Sequence, residues 1–327
     1  MIALGVLYAV LSGLANGLFS APMKMIPVWR WENIWLVFIL TACLAMPAAV
    51  VLPVADPPRV IAAAPPAAVG AALAFGFAWG FGAILFGLSV HRLGVSLANS
   101  LVIGLSSALG SLAPLILAGG FRAEARIFVL LAGVATFIVG VWLCGRAGRM
   151  REAQRTSEWR GYLFAIGSGV MSAVFNIGYT LALPLADAGR RLGLTGFTAT
   201  NVIWLLMLGA GAIPNIAYCS ALLARHGSAR LFVAAAPARS CALSVLMGLL
   251  WGGSIFLYGA ATPLLGDIGP AIGWPLSLAV GLLVANLMGY LLGEWREAPR
   301  EAVRLMQLGL TVLLIAILIT ASSSMLS

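Results

Sequence analysis

Charge is what this chain has least of. Only 9% of its 327 residues are charged, against roughly 25% in a soluble domain. With 62% hydrophobic residues, that excludes a soluble fold and predicts an integral membrane protein. Alternating polar and apolar residues are also lacking, which excludes a membrane β-barrel. Cysteine is sparse: Cys43, Cys144, Cys219 and Cys241 form no CxxC and have no histidine at metal-ligand spacing. They read as small apolar residues, so neither a disulfide, a metal site nor a cofactor is expected. No basic stretch precedes the first apolar run, so residues 1–22 read as a retained helix and not as a cleaved signal. The net charge of +9 does not point to nucleic acid, because the basic residues sit between apolar runs, where membrane topology uses them. Finally, no Asp, Glu, Lys or Arg falls deep inside a run, and neither histidine does. Intramembrane hydrolases need a Ser–His or paired-Asp arrangement at depth, so an enzyme is not expected.

Ten apolar runs are present, at about 3–22, 33–54, 67–91, 95–119, 126–145, 160–184, 196–224, 238–262, 269–293 and 304–325. At ~20 residues per span they account for nearly the whole chain. Two copies of one unit are visible in them. Gly76, Trp79, Gly80, Gly87, Leu93 and Gly94 recur as Gly248, Trp251, Gly252, Gly259, Leu265 and Gly266, all offset by 172 residues. Gly5, Leu7, Ala9, Ser12, Gly13 and Phe19 recur as Gly161, Leu163, Ala165, Ser168, Gly169 and Phe175, offset by 156. Run 1 therefore corresponds to run 6, and run 3 to run 8. Five helices per copy is an odd number, so the second copy must enter the membrane from the opposite side. The expectation is an all-α membrane protein with ten transmembrane helices in two inverted five-helix repeats, residues 1–148 and 160–327. A connecting loop at 149–159 would lie on the cytoplasmic side. Of the 19 basic residues, 14 lie in loops after odd-numbered runs and 5 in the others. The basic side should be cytoplasmic, which puts both termini outside.

Repeated helical units of this kind are the architecture of membrane carriers, with the site at the midplane seam between copies. Trp79 and Trp251 fall near the middle of their runs, each beside a glycine. An indole face suits the C–H surface of a sugar ring, and its N–H can bond a hydroxyl; a Trp against a Gly also simply lets two helices approach. Asn16, Ser20, Asn176, Tyr179, Asn99, Ser106, Ser107, Ser111, Asn201, Asn215, Tyr258, Ser277 and Asn286 place amides and hydroxyls within the spans. They need partners in lipid, either across helices or in a polar cavity. Carboxylates lie only near run ends: Glu32, Asp187, Asp267 and Glu294. Glu32 opens run 2, where a carboxylate complements the helix dipole, and Asp187 and Asp267 face outward, where either could take up a proton. His91 and His226 sit at cytoplasmic loops and read as solvated. Pro22, Pro47, Pro114, Pro184 and Pro214 lie in or near helices and predict kinks. Runs 5 and 10 carry few polar groups and should face lipid or a second subunit. Gly133 and Gly140 supply a close-contact face, a homodimer signal.

Ala21-Pro22-x-Lys24, running into Trp29-x-Trp31-Glu32-x-x-Trp35, resembles the bacterial L-rhamnose–proton symporter family of the drug/metabolite transporter superfamily. Phe75-Gly76-x-x-Trp79-Gly80-x-Gly82, Gly87-Leu88, Leu93-Gly94-x-Ser96, Arg146-Ala147-Gly148, Ser172-Ala173, Asn215, Cys219, Gly248-x-x-Trp251, Trp274 and Glu294-Trp295 extend the likeness over nearly the whole chain. The resemblance implies ten helices in two inverted repeats. It also implies import of a neutral deoxy-hexose with a proton across the inner membrane, with Glu32 the carboxylate it favours for coupling. Substrate contacts are then expected from Trp79, Trp251, Asn16, Asn176, Tyr179, Ser106, Asn201, Tyr258 and Trp274. The cavity would lie between runs 1–4 and 6–9. An exporter or uncoupled facilitator of the same superfamily, and a non-transporting membrane sensor, stay open on the residues alone.

Overall fold

The computed structural model describes residues 2–93, 95–117, 124–151, 159–233, 237–291, 293 and 295–323, with the side chains of 90, 91, 95–97, 99 and 100 outside the description. His91, Asn99 and Glu294, and most of the 149–159 connection, therefore lie outside the described residues. Among the described residues twelve α-helices follow in order: α1 (Ile2–Leu18), α2 (Trp31–Ile39), α3 (Met46–Val51), α4 (Pro57–Ala63), α5 (Pro66–Leu93), α6 (Val95–Leu117), α7 (Ala125–Arg151), α8 (Trp159–Arg191), α9 (Gly196–His226), α10 (Pro237–Ala261), α11 (Gly269–Leu291) and α12 (Arg300–Ser323). Among the described residues nine helical spans are long and apolar enough to cross a membrane, and α6 contributes a shorter apolar helix, Leu101–Leu117. Each of the ten apolar runs is thus helical. The protein is an all-helical membrane protein.

The second span is not one regular helix. It runs as α2, then a π-helical turn at Leu40–Ala45, then α3. Pro47 causes this locally. Its ring would clash with a carbonyl one turn back and it offers no N–H, so the chain widens before it. Thr41 Oγ1 donates to the Val37 carbonyl within the same stretch, at 2.9 Å. Pro114, Pro184 and Pro214, by contrast, sit inside α6, α8 and α9. The short α4, which the apolar runs did not announce, starts with two prolines at its first turn. Asp56 caps it by accepting from the Arg59 N–H.

The chain forms two compact units, each drawing on both halves of the sequence. One comprises Met1–Gly17, Gly82–Ile177 and Ala261–Ser327, the other Leu18–Phe81 and Gly178–Ala260. In the first, α7 and α12 lie side by side over a core that includes Phe137, Val141, Met306 and Leu313. Gly133 faces Thr320, Gly140 faces Leu313, and Gly309 faces Cys144. The face that Gly133 and Gly140 offered to a second subunit is therefore filled by the chain's own last helix. In the same unit a Cβ on Gly13 would lie 2.6 Å from the Ser277 carbonyl oxygen of α11, and one on Gly17 2.6 Å from that of Gly281.

In the second unit the repeated Gly-x-x-Trp-Gly motif does the same work twice. Gly76 and Gly80 of α5 meet the backbone of Met207 and Gly211 on α9. Gly248 and Gly252 of α10 meet Phe38, Thr41, Ala42 and Met46, around the π turn. No side chain fits between these backbones. Gly76→Ala is expected to destabilise by about 1–3 kcal/mol through overpacking. Gly209→Ala, with nothing within 4 Å of the added carbon, should be neutral or stabilising by up to ~1 kcal/mol, as alanine is the better helix former. Thermal unfolding of the two purified variants checks the contrast.

Candidate functional site

Within the second unit, α2 presents Trp31, Trp35 and Phe38 at spacings of four and three, so they share one helix face. Trp31 stacks on Trp35 at 5.1 Å and 19°, and Trp35 meets Phe38 at 4.7 Å. Phe38 touches Trp251 edge-on at 5.9 Å, and Trp251 stacks on Trp79 at 5.2 Å and 12°. The two repeat tryptophans thus meet face to face near the midpoints of their spans, and an aromatic row continues from them along α2. Phe38, the link, was not singled out in the sequence; its i+3 and i+7 spacing from Trp35 and Trp31 was the available signal. A second aromatic group is fully buried: Tyr179 of α8 stacks on Trp204 of α9 at 4.5 Å and 5°, with Tyr258 of α10 at 5.5 and 6.1 Å from the two rings. Trp204 was also missed.

Asn215 ties the row to the helix packing. Its Nδ2 donates to the Gly80 and Gly211 carbonyls at 3.0 Å, and its Oδ1 accepts from Trp35 Nε1 at 3.1 Å. Asn201, on the same helix and 0% exposed, behaves differently: among the described residues neither of its amide atoms has a hydrogen-bond partner.

Glu32 lies in the first turn of α2 and is only 4% exposed. Its Oε1 accepts from Ser228 Oγ at 2.6 Å and lies 2.9 Å from His226 Nδ1. Neighbouring Asn33 donates to the Ser228 carbonyl at 2.9 Å. The local sequence explains how these groups meet. Gly227 takes a left-handed φ of +60°, closes the end of α9 and turns the chain, so His226 and Ser228 arrive on either side of it. His226 is therefore not merely solvated. It is partly exposed and paired with a buried carboxylate. The other two carboxylate candidates are placed otherwise. Asp187 is about half exposed and ion-paired with Arg190 one turn along α8, and Asp267 is exposed in the turn before α11.

The first unit holds the remaining predicted residues. Trp274 Nε1 donates to both the carbonyl and the hydroxyl of Ser106, each at 3.2 Å. Asn176 Nδ2 donates to the Gly110 carbonyl at 2.7 Å and the Pro270 carbonyl at 3.3 Å. Ser12 and Ser277 share a 2.8 Å hydrogen bond. Asn16 lies against Gly281. Of the nine predicted substrate contacts, Trp79, Trp251, Tyr179, Tyr258 and Asn201 belong to the second unit and Asn16, Asn176, Ser106 and Trp274 to the first.

Apolar helices with amides, hydroxyls and one hydrogen-bonded carboxylate buried among them define a multi-pass membrane transporter rather than an enzyme. The chain belongs to the L-rhamnose-proton symport protein family, whose model matches residues 1–325. It is 28% identical over 335 residues to the L-rhamnose-proton symporter of Klebsiella pneumoniae (strain 342), covering 96% of each chain. It is 29% identical over 337 residues to that of Cronobacter sakazakii and 27% over 333 to that of Citrobacter koseri, again covering 96% of each. A solved crystal structure superposes with a TM-score of 0.55 over 98% of this chain and 95% of its own, at 16% identity, a likeness of fold.

Trp35→Phe keeps an aromatic ring in the row but leaves Asn215 Oδ1 buried without its donor. The expected cost is about 1–3 kcal/mol, read as a lowered unfolding temperature in detergent.

Proposed function

We propose that this protein imports L-rhamnose or a related neutral deoxy-sugar together with a proton, across the bacterial inner membrane, by alternating access. The observation that carries the proton half is Glu32. An ionisable group buried in a membrane helix is costly and is a functional residue by default. This one is held by a histidine and a serine brought from another helix end. Asp187 and Asp267 are weaker coupling candidates, because a carboxylate already in water gains little from a conformational change. The sugar half rests on the full-length family match and on the relatives' names. It is further supported by the Trp79–Trp251 pair, with Asn201, Tyr179 and Tyr258 as hydroxyl partners in its unit, and by Asn16, Asn176, Ser106 and Trp274 in the other.

The inverted repeat is supported by which glycines meet which helices. Gly5 faces Leu264 and Leu265, and its counterpart Gly161 faces Arg92 and Leu93, the same motif positions in the other copy. Gly13 faces Ser277 and Val280 of α11, while Gly169 faces Val102 and Leu105 of α6. In the second unit α5 rests on α9 while α10 rests on α2. These contacts exchange partners as two copies related by a two-fold axis would. We take residues 1–148 and 160–327 as the copies, with the 149–159 connection cytoplasmic and both termini outside, and transport as rocking of one copy against the other. A homodimer at α7 and α12 would have to use outward side chains such as Trp142 and Leu318, which are exposed.

Two variants test the reading in proteoliposomes. Trp251→Ala should abolish L-rhamnose uptake in a protein that still elutes as a single folded species; uptake at the wild-type rate would remove the tryptophan pair from the transport path. Glu32→Gln keeps an acceptor for Ser228 but carries no titratable proton. It should lose accumulation driven by an inward proton gradient while retaining sugar counterflow. Gradient-driven accumulation that survives in Glu32→Gln would assign coupling elsewhere, and a wild type indifferent to the gradient would make the protein a facilitator.

A further inference from the structure

Four of the six asparagine side chains in the described spans show how this protein treats an amide in an apolar setting. Asn33, Asn176, Asn215 and Asn286 each donate to backbone carbonyls, at 2.7–3.3 Å. Asn201 does not. It is 0% exposed, and neither its Oδ1 nor its Nδ2 is hydrogen-bonded among the described residues. Leaving such buried groups unbonded is destabilising, and leucine, of similar size, would avoid that penalty. A buried amide with two idle ends calls for a partner that is not part of the resting protein.

Its surroundings indicate which partner. Asn201 lies one helical turn before Trp204, on the same face of α9. Trp204 carries the flat Tyr179 ring against it, with Tyr258 tilted at about 50° to both. Gly259 of α10 leaves no room for a side chain against the Trp204 indole, so the ring is held edge and face. The nearby Thr200 hydroxyl is occupied by the Gly196 carbonyl, at 2.8 Å. A rigid aromatic group one helical turn from an unbonded amide suits a ligand with a C–H surface and adjacent hydroxyls.

We propose that Asn201, one helical turn from the Tyr179, Trp204 and Tyr258 group, is the hydroxyl-reading group of a sugar subsite within the second unit. Its Oδ1 accepts from one hydroxyl of a vicinal pair and its Nδ2 donates to the other. The ligand class is a neutral polyhydroxylated ring, and the proposal rests on the sugar-transport reading above. It adds Trp204 as a stacking residue and makes the hydroxyl pair the feature that selects substrate.

The test compares wild type and Asn201→Leu by unfolding temperature and by L-rhamnose counterflow in proteoliposomes. The expected result is an unfolding temperature equal to or above wild type, with apparent L-rhamnose affinity weakened by about tenfold or more, as one lost hydrogen bond to the sugar implies. A more stable variant that exchanges L-rhamnose like wild type would overturn the proposal. Should Asn201→Leu fail to fold, Asn201→Ser is used with analogues of L-rhamnose lacking one ring hydroxyl. Wild type should reject at least one analogue that the serine variant no longer distinguishes, and identical preferences would again overturn it. A wild type that exchanges no sugar in the panel would bring down the transport reading and this one together, whereas exchange by wild type with an unaltered variant brings down only this one.

Discussion

Backbone-to-backbone contact at glycine is the constraint on which the packing depends. In lipid, helices gain little by hiding apolar side chains from one another, since the surrounding chains are equally apolar, so close packing must supply the attraction. Here that packing is concentrated where Gly76 and Gly80 meet α9, where Gly248 and Gly252 meet the π turn, and where Gly13 and Gly17 meet α11. The tryptophans follow from it. Trp79 and Trp251 each stand beside a glycine that brings a neighbouring helix close, and in the second unit their indoles meet face to face. The doubled motif is therefore first a packing device. The aromatic surface is what the packing leaves in place at the middle of the span.

Polar groups obey a second economy. Many of the amides and hydroxyls described in the spans bond a carbonyl or another side chain, as burial away from water demands, although the Ser107 hydroxyl has no such partner among the described residues. Asn215 joins two helices and an indole; Asn176 joins two carbonyls; Trp274 and Ser106 satisfy each other. Against that pattern two features stand apart. Glu32 keeps a carboxylate under cover with a histidine and a serine, and Asn201 keeps an amide with nothing. Both lie in the same compact unit.

Much of the fold could be read from the chain because its signals are long. Ten apolar runs became ten helical regions, and the repeat offsets singled out the two tryptophans that stack. Short-range signals were harder. The π turn depends on how the chain accommodates the ring of Pro47 within its own helix, which no periodicity reveals. Gly133 and Gly140 announced a close contact but not its partner, and α12 of the same chain took it. The candidate site was legible as a set of residue types and not as an arrangement. His226 looked like a loop residue because its meaning lies in Gly227, whose left-handed turn aims it and Ser228 at Glu32. Trp204 and Phe38 looked like ordinary apolar residues within apolar runs. Their roles come from Tyr179 and Trp251, which are distant in sequence.

The π turn in the second span separates the half that carries Glu32, Trp35 and Phe38 from the half that carries Pro47. Such a turn holds one extra residue, and Pro47, just beyond it, fixes where it sits. Removing that extra residue would rotate one half against the other by about 100°, the angle of a single helical residue. The carboxylate and the aromatic row would turn together, as one block, while Pro47 and Val51 stayed where they are. The wide turn thus sets the direction in which Glu32, Trp35 and Phe38 face relative to Pro47 and Val51.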